Sequence, residues 1–224
     1  MSESPSASPA AHSYVSPPSG ALYRYAESQI PTVHGELRLV VYRSLPVDSA
    51  SPPLIVPMQD EHLAIVIGEV AGGEHVPCRV HSECWTGESL GSLKCDCRAQ
   101  LDSALESMVR AGRGVVVYLR QEGRGIGLGN KIRAYALQND GKDTVEANTA
   151  LGFLPDLRSY EIAAQILKDQ QVRSVALYTN NPDKLRELQA AGVEVSERVP
   201  HWVSSHEWNS EYLAVKRAKL GHQT

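Results

Sequence analysis

The sequence lacks the features of membrane, secreted and polyanion-coating proteins. In its 224 residues no apolar run approaches the roughly 20 residues that a membrane-spanning helix needs, and the N-terminus has neither the basic start nor the apolar core of a secretory signal. Neither sign of charge is in large excess, because 22 Lys and Arg oppose 26 Asp and Glu. We therefore expect a soluble, cytoplasmic protein without a membrane or nucleic-acid partner, in which any phosphate binding is local.

Internal repeats are absent too, as is a linker long enough to separate two folded domains. Residues 1–20 contain seven Ser, four Pro and three Ala. Such a composition cannot bury enough side chain to offset its ordering entropy. We predict a disordered tail over residues 1–20 and one folded domain over residues 21–224.

The apolar pattern changes from strand-like to helical along the chain. The predicted strands are 36–42, 62–70, 115–119, 174–179 and 193–199. The predicted helices carry their apolar stripes at Leu101, Ala104, Leu105, Met108 and Val109, at Leu128, Ile132, Tyr135 and Ala136, and at Ile162, Ala163, Ile166 and Leu167. This order predicts an α+β fold with an α/β-like C-terminal half, in which one mixed sheet is flanked by helices.

Cysteine is scarce, but three of the four cysteines, Cys84, Cys95 and Cys97, lie within fourteen residues. In an extended segment the last two face the same side, and a turn would bring the first back over them. Three thiolates suit zinc by their softness, which predicts a zinc-binding loop. Cys78 is excluded, because a straight strand would place it roughly 20 Å from Cys84. Spacing alone leaves open a structural zinc with His81 or a distant histidine as fourth ligand, a catalytic zinc with an open position, and plain buried thiols.

A glycine-rich basic loop follows one predicted buried strand, with Arg120 and Arg124 before a helix that carries Lys131 and Arg133. Freed backbone amides, a helix N-terminus and nearby cations are the ingredients of a phosphate site. The loop is not a P-loop, and Asn130 stands where the last glycine of GxGxxG would be. On its own the pattern favours an ordinary strand-to-helix turn with surface arginines.

Other polar positions have both an ordinary and a functional interpretation. The segment from Thr179 to Lys184 leaves a strand and enters a helix at Pro182, which suits either phosphate binding or plain capping. Asp156 is a candidate cap of the next helix. Tyr135 lies on an apolar stripe, where most tyrosines pack.

Longer strings resemble one known family. The chain is similar to the GTP cyclohydrolase II family over about residues 27–221, most clearly in RVHSECWTGESLGSLKCDC, RQEGRGIGLGNKIRAYALQNDGKDTVEAN, LGFLPDLR, LYTNNPDK and ERVP. Two departures flank the predicted metal loop, where Trp85 replaces the usual leucine and Arg98 a common glycine.

The resemblance implies zinc-dependent hydrolysis of GTP at two places, as the first step of riboflavin biosynthesis. The imidazole carbon C8 would leave as formate, and the bond between the α- and β-phosphates would break to release pyrophosphate. The product would be 2,5-diamino-6-(5-phosphoribosylamino)pyrimidin-4(3H)-one. One Zn²⁺ per subunit, Mg²⁺ with the triphosphate and a homodimer are further implications.

The resemblance also assigns three groups of residues. The zinc ligands are Cys84, Cys95 and Cys97, which favours the open, catalytic site. The catalytic residues are Asp156 as proton acceptor, Arg158 as nucleophile and Tyr135 near the reacting base. The GTP contacts are Arg79, Val80, His81, Ser82, Glu83, Gln100, Glu122, Gly123, Arg124, Thr144, Thr179 and Lys184.

Elementary chemistry supports these assignments unequally. Zinc lowers the pKa of bound water to about 7, which supplies hydroxide for attack on C8 at neutral pH. Arg158 is a poor nucleophile, because guanidinium stays protonated below a pH of about 12, and we expect it to clamp phosphate instead. Glu122 is the candidate for guanine selection, since a carboxylate can accept from N1 and the exocyclic amine, a pair of donors that adenine lacks.

Two rival functions share parts of this pattern. A paralogue in a secondary pathway could retain the formyl group, which would add one CO unit to the product mass. A non-enzymatic, zinc-stabilised nucleotide sensor would keep the three cysteines, but it would have no reason to keep Asp156, Tyr135 and Arg158 together.

Overall fold

The computed structural model describes residues 22–44, 60–154, 156–203 and 214. Within these ranges the strands are β1 (Leu22–Thr32), β2 (Gly35–Ser44), β3 (Glu61–Ile67), β4 (Val76–Ser82), β5 (Gly114–Leu119), β6 (Val175–Tyr178) and β7 (Val195–Val199). The α-helices are α1 (Trp85–Glu88), α2 (Cys97–Ala111), α3 (Gly127–Asn139), α4 (Thr144–Ala150), α5 (Glu161–Asp169) and α6 (Pro182–Ala190). The predicted tail, residues 1–20, lies outside the described residues. No helix in the described ranges is both long and apolar enough to cross a membrane.

All seven strands form one mixed sheet in the order β1-β2-β3-β5-β4-β6-β7. The neighbouring pairs β1–β2, β2–β3 and β3–β5 are antiparallel, whereas β4 runs parallel to both β5 and β6. The chain passes from β4 to β5 on one side and then crosses to β6 on the other side of β4. The predicted α+β fold with a mixed sheet is therefore confirmed, and the parallel strands end together at one edge.

Helices cover both faces of the central strands. Val115 and Val117 of β5 belong to the cluster that packs under α5 and α6, whereas Val116 belongs to the cluster under α2. This two-sided burial explains why β5 is a continuous apolar run rather than an alternating one. The predicted inward stripe of α5 is confirmed, with Ala163 and Ile166 fully buried.

The structure corrects the predicted stripe of α3. Leu128 and Ile132 are 37% and 49% exposed, and the buried positions of this helix are Lys131 and Ala134. The buried face of α3 covers a polar cleft instead of the apolar core, so apolar periodicity pointed to the wrong side. β1 was not predicted, because most of its residues are exposed at the sheet edge and give no clear alternation.

Candidate active site

A cleft opens where the parallel strands end. It is lined by residues that directly follow β4, β5 and β6, namely 83–84, 121–124 and 179–181. The empty space in the cleft, counted together with the open solvent at its mouth, is about 1100 Å³. The crevice beyond the carboxyl ends of parallel strands, where the strand order reverses, is the usual ligand site of open α/β sheets.

The cleft collects most of the residues assigned from the sequence. It contains the three clustered cysteines, Tyr135 and Arg158. The assigned GTP contacts that line it are Arg79, His81, Ser82, Glu83, Gln100, Glu122, Gly123, Arg124, Thr179 and Lys184. Sequence and structure therefore agree on where the polar groups gather.

Three assigned residues do not line the cleft. The side chain of Val80 is fully buried in the core, and its carbonyl accepts a 2.6 Å hydrogen bond from Lys184 Nζ. Asp156 accepts a hydrogen bond from Arg158, which does line the cleft. The backbone of Thr144 begins α4, and its side chain is outside the described part of the chain.

The three clustered thiols have the geometry of a metal site. The sulfurs of Cys84, Cys95 and Cys97 all lie within 4.8 Å of one another, and the first two are 3.6 Å apart. Zinc–sulfur bonds of about 2.3 Å in a tetrahedron place sulfurs about 3.8 Å apart. Among the described residues no histidine or carboxylate joins this group. Cys78 is buried in the core and is not part of this group.

The chain brings these thiols together differently from the extended arrangement predicted. Cys97 is the first residue of α2, and Cys84 lies just before the single turn of α1. Three thiols this close cannot all ionise by themselves. Hydrogen bonding lowers the pKa of Cys84 at the expense of its neighbours. The same contact with Cys84 raises the pKa of Cys95 to about 11 and that of Cys97 well above its usual value. A soft divalent cation relieves this conflict, so the residues fit zinc with three protein ligands.

Glu88, which the sequence analysis missed, joins the metal loop to the sheet. Its Oε1 accepts from His81 Nε2 at 2.8 Å and from the backbone N–H of Cys84 at 3.0 Å, and its Oε2 accepts from the Tyr118 hydroxyl at 2.6 Å. Arg79 Nε donates to His81 Nδ1, which leaves the imidazole proton on Nε2. Both ring nitrogens of His81 are therefore used inside the protein.

The charges in this network follow from burial and hydrogen bonding. Burial lowers the pKa of His81 to about 4, so the imidazole is neutral at pH 7. Burial raises the pKa of Glu88, but the interactions with His81 and Tyr118 together outweigh burial and leave the pKa below its usual value. Glu88 is thus a carboxylate that accepts hydrogen bonds from three donors. In the sequence it is only an acidic residue in one short turn, which does not indicate this role.

We expect Glu88→Gln to destabilise the fold by about 1–3 kcal/mol, because the amide cannot accept from all three donors and leaves buried groups unpaired. Urea unfolding followed by circular dichroism measures the loss. The matched control is Glu106→Gln, which removes an exposed carboxylate 4.0 Å from Arg110 and should change stability by less than about 0.5 kcal/mol. Equal losses in the two variants would contradict the assigned role of Glu88.

Glu122 and Lys131 form a buried pair beside the metal loop. Glu122 Oε1 accepts from Lys131 Nζ at 2.8 Å and from the Gly123 N–H at 2.7 Å, and its Oε2 accepts from the Trp85 N–H at 2.6 Å. Lys131 Nζ is also 3.2 Å from Cys84 Sγ. Burial lowers the pKa of Lys131, but the hydrogen bond to Glu122 and the charge interactions with its neighbours together outweigh burial and raise the pKa above its usual value. The sequence suggested Lys131 as a phosphate cation, whereas the structure places it against the thiols.

Asp156 and Arg158 form a second ion pair at the cleft. Arg158 donates to the Asp156 carboxylate from its backbone N–H at 3.0 Å, from Nε at 2.9 Å, and from Nη2. Burial raises the pKa of Asp156, but the Arg158 hydrogen bonds outweigh it and leave the pKa below its usual range. α5 begins at Glu161, so Asp156 is not the helix cap considered from the sequence.

Some buried polar atoms of the cleft have no hydrogen-bond partner among the described residues. They are Ser82 Oγ, Gln121 Oε1 and Arg124 Nη1. Leaving a buried polar group unpaired costs about 1–3 kcal/mol. Both donors and acceptors are present in this group, which is the pattern that a polar, hydrogen-bonding ligand would complete.

Comparisons with known proteins agree with this geometry. Residues 23–200 match the model of the family described as GTP cyclohydrolase II. The chain is 48% identical over 197 residues to GTP cyclohydrolase-2 of Aeromonas hydrophila, covering 88% of this chain and 94% of that one. It is 52% identical over 199 residues to the riboflavin biosynthesis protein RibBA of Chlorobium phaeovibrioides, covering 89% of this chain and 46% of that one. For RibBA of Bacillus subtilis the identity is 58% over 163 residues, and the shares are 72% and 41%. The chain thus spans less than half the length of these RibBA proteins.

Proposed function

We propose that this chain, which belongs to the GTP cyclohydrolase II family, hydrolyses GTP. The products would be formate, pyrophosphate and 2,5-diamino-6-(5-phosphoribosylamino)pyrimidin-4(3H)-one. One observation carries the proposal. A three-thiol cluster, the arginine of the Asp156–Arg158 pair and unpartnered polar atoms line one cleft, where a single nucleotide can reach all of them. This product is the first intermediate of riboflavin biosynthesis.

The reaction consumes three water molecules for each GTP. Two are used at C8, because both C8–N bonds must break for N7 and N9 to remain as amines while the carbon leaves as formate. The third is used at phosphorus, where the bond between the α-phosphorus and the bridging oxygen breaks and pyrophosphate leaves. No oxidant or reductant is needed.

The thiols of Cys84, Cys95 and Cys97 would hold Zn²⁺. Zinc bound by protein ligands lowers the pKa of water and polarises groups at the reacting carbon. C8 therefore has to lie next to the cysteines, on the same side of the cleft as Tyr135. Burial raises the pKa of Tyr135 to about 12, so its hydroxyl remains a hydrogen-bond donor at neutral pH.

The triphosphate, with Mg²⁺, then extends toward the end of β6. Arg124 and Arg158 supply cations there, and Asn181 caps α6, whose Pro182 is the first helical residue. A helix N-terminus favours anions, because its backbone N–H groups and its dipole point toward them. In this pose Arg158 stabilises charge on phosphate oxygens and needs no covalent role.

Guanine selection draws on two side chains in this proposal. Glu122 already accepts three internal hydrogen bonds, and a carboxylate offers about four lone-pair sites. One site therefore remains for a guanine N–H. Gln121 donates through Nε2 to the Ser159 carbonyl at 2.8 Å, which directs its unpartnered Oε1 as a second acceptor.

The test incubates the zinc-loaded protein with GTP and Mg²⁺ and follows formate, pyrophosphate and product mass together. We expect formate and pyrophosphate in equal amounts, with formate release lost in Cys95→Ser. Pyrophosphate without formate, with one extra CO unit in the product, identifies the formyl-retaining paralogue. Binding of GTP without turnover identifies the nucleotide sensor. Sedimentation of the same sample tests the proposed homodimer.

A further inference from the structure

Lys131 stands out among the basic residues of the described chain because it contacts a thiol of the metal cluster. Its ammonium lies 3.2 Å from Cys84 Sγ, and its side chain is only 10% exposed. The carbon stem comes from the buried face of α3, on which only Ala134 is also buried. This contact accounts for a lysine on the protein-facing side of a helix whose leucine and isoleucine face outward.

Glu122 fixes the position of that ammonium. It accepts from Lys131 at 2.8 Å, and two backbone N–H groups, those of Trp85 and Gly123, hold its carboxylate in place. One of these belongs to the residue directly after Cys84. The carboxylate therefore ties the metal loop, the loop after β5 and α3 together around one cation.

The charge of a three-cysteine site explains why a cation is needed there. Three thiolates around a divalent ion sum to one excess negative charge, in a place shielded from solvent. Thiolates also donate strongly to the metal, which weakens its ability to activate water. An N–H donor and a positive charge at one sulfur oppose both effects, and second-shell partners of this kind often change metal affinity by 10–100-fold.

We propose that Lys131 is a positioning residue for the metal, which donates to the Cys84 thiolate, places a positive charge directly against that sulfur of the three-cysteine site and is itself held by Glu122. This inference rests on the proposed function only in that a divalent ion occupies the cysteines. It gives Glu122 a role in organising the metal loop besides its contact with guanine.

The test uses Co²⁺ in place of zinc, because cobalt bound to thiolates has a near-ultraviolet charge-transfer band that needs no turnover to be seen. Lys131→Met should weaken cobalt affinity by about 10–100-fold at pH 7.5 in competition with a chromophoric chelator. It should also move the band to longer wavelength, since a thiolate that loses its hydrogen bond gives up an electron more easily. Lys131→Arg, which keeps a cationic donor, should have a cobalt affinity and a band wavelength close to those of the wild type. Should Lys131→Met fail to fold, Lys131→Gln removes the charge at similar volume and carries the same test.

Arg133→Met is the matched control, because Arg133 is an exposed cation on the same helix that bonds to Asn130. It should leave affinity and band position unchanged. A wild-type affinity and band in Lys131→Met, or in Lys131→Gln if Lys131→Met does not fold, would overturn the role of Lys131 and leave the proposed function intact. Conversely, shifted bands in a protein that releases no formate would support Lys131 and overturn the proposed function.

Discussion

Gly87→Ala should remove stable metal binding from the three cysteines and with it the release of formate. Gly87 is buried inside α1, and a Cβ built on it would lie 2.9 Å from Cys95 Sγ and 3.3 Å from Cys84 Sγ. Real Cβ atoms essentially never approach sulfur that closely, so one thiolate must move out of the cluster. We expect metal affinity to fall by about 100-fold or more, at the upper end of what supporting residues contribute to metal sites.

Metal content after dialysis against a chelator of known affinity measures this effect directly. Gly129→Ala is the matched control, because a Cβ at Gly129 in α3 meets no atom within 4 Å. Alanine there should keep the metal and stabilise the helix by up to about 1 kcal/mol. A Gly87→Ala protein that retains one metal ion per chain would show that the cysteines are not arranged around the ion as they are here.

The sequence predicted the fold where local pattern and burial agree. β5 was found from its unbroken valines, and the turn into α6 from Asn181 and Pro182, because these signals depend on short-range geometry. The face of α3 was predicted wrongly, since periodicity assumes that buried means apolar. That helix instead covers a cleft in which Lys131 is buried by its ion pair, and no local rule reveals a partner nine residues away in sequence.

The candidate site was predicted in the same uneven way. The three cysteines are close in sequence and could be grouped by spacing, although the geometry that joins them is a helix start and not a strand. Glu88 escaped notice because its role depends on Tyr118, thirty residues further along the chain. Asp156 and Arg158 were assigned only through resemblance, and their pairing became visible in three dimensions.

That pairing links two of the three assigned catalytic residues, Asp156 and Arg158. While Arg158 is bonded to Asp156, the carboxylate has a lowered pKa and is a weak proton acceptor. If Arg158 turns to the triphosphate, Asp156 loses its hydrogen-bond donors and its pKa rises toward the ordinary range. Phosphate binding would thus make Asp156 a better base only when substrate is present. The ion pair has this role if Arg158 clamps phosphate, whereas a role for Arg158 as nucleophile does not explain why it is paired with Asp156.

Arg158→Gln should therefore lower the rate of pyrophosphate release by about 10²–10³-fold, the usual cost of removing one group that stabilises transition-state charge. It should also raise the pKa of Asp156 in the free enzyme, because Arg158 depresses the native value there, so the acid limb of the kcat/KM profile should move to higher pH. Arg158→Lys should keep part of the rate, since a charge remains. Arg186→Gln, which removes a 70% exposed arginine of α6, should change neither quantity. Isolation of a guanylyl group on Arg158 by mass spectrometry would instead establish the covalent role, because a clamp forms no bond to phosphorus.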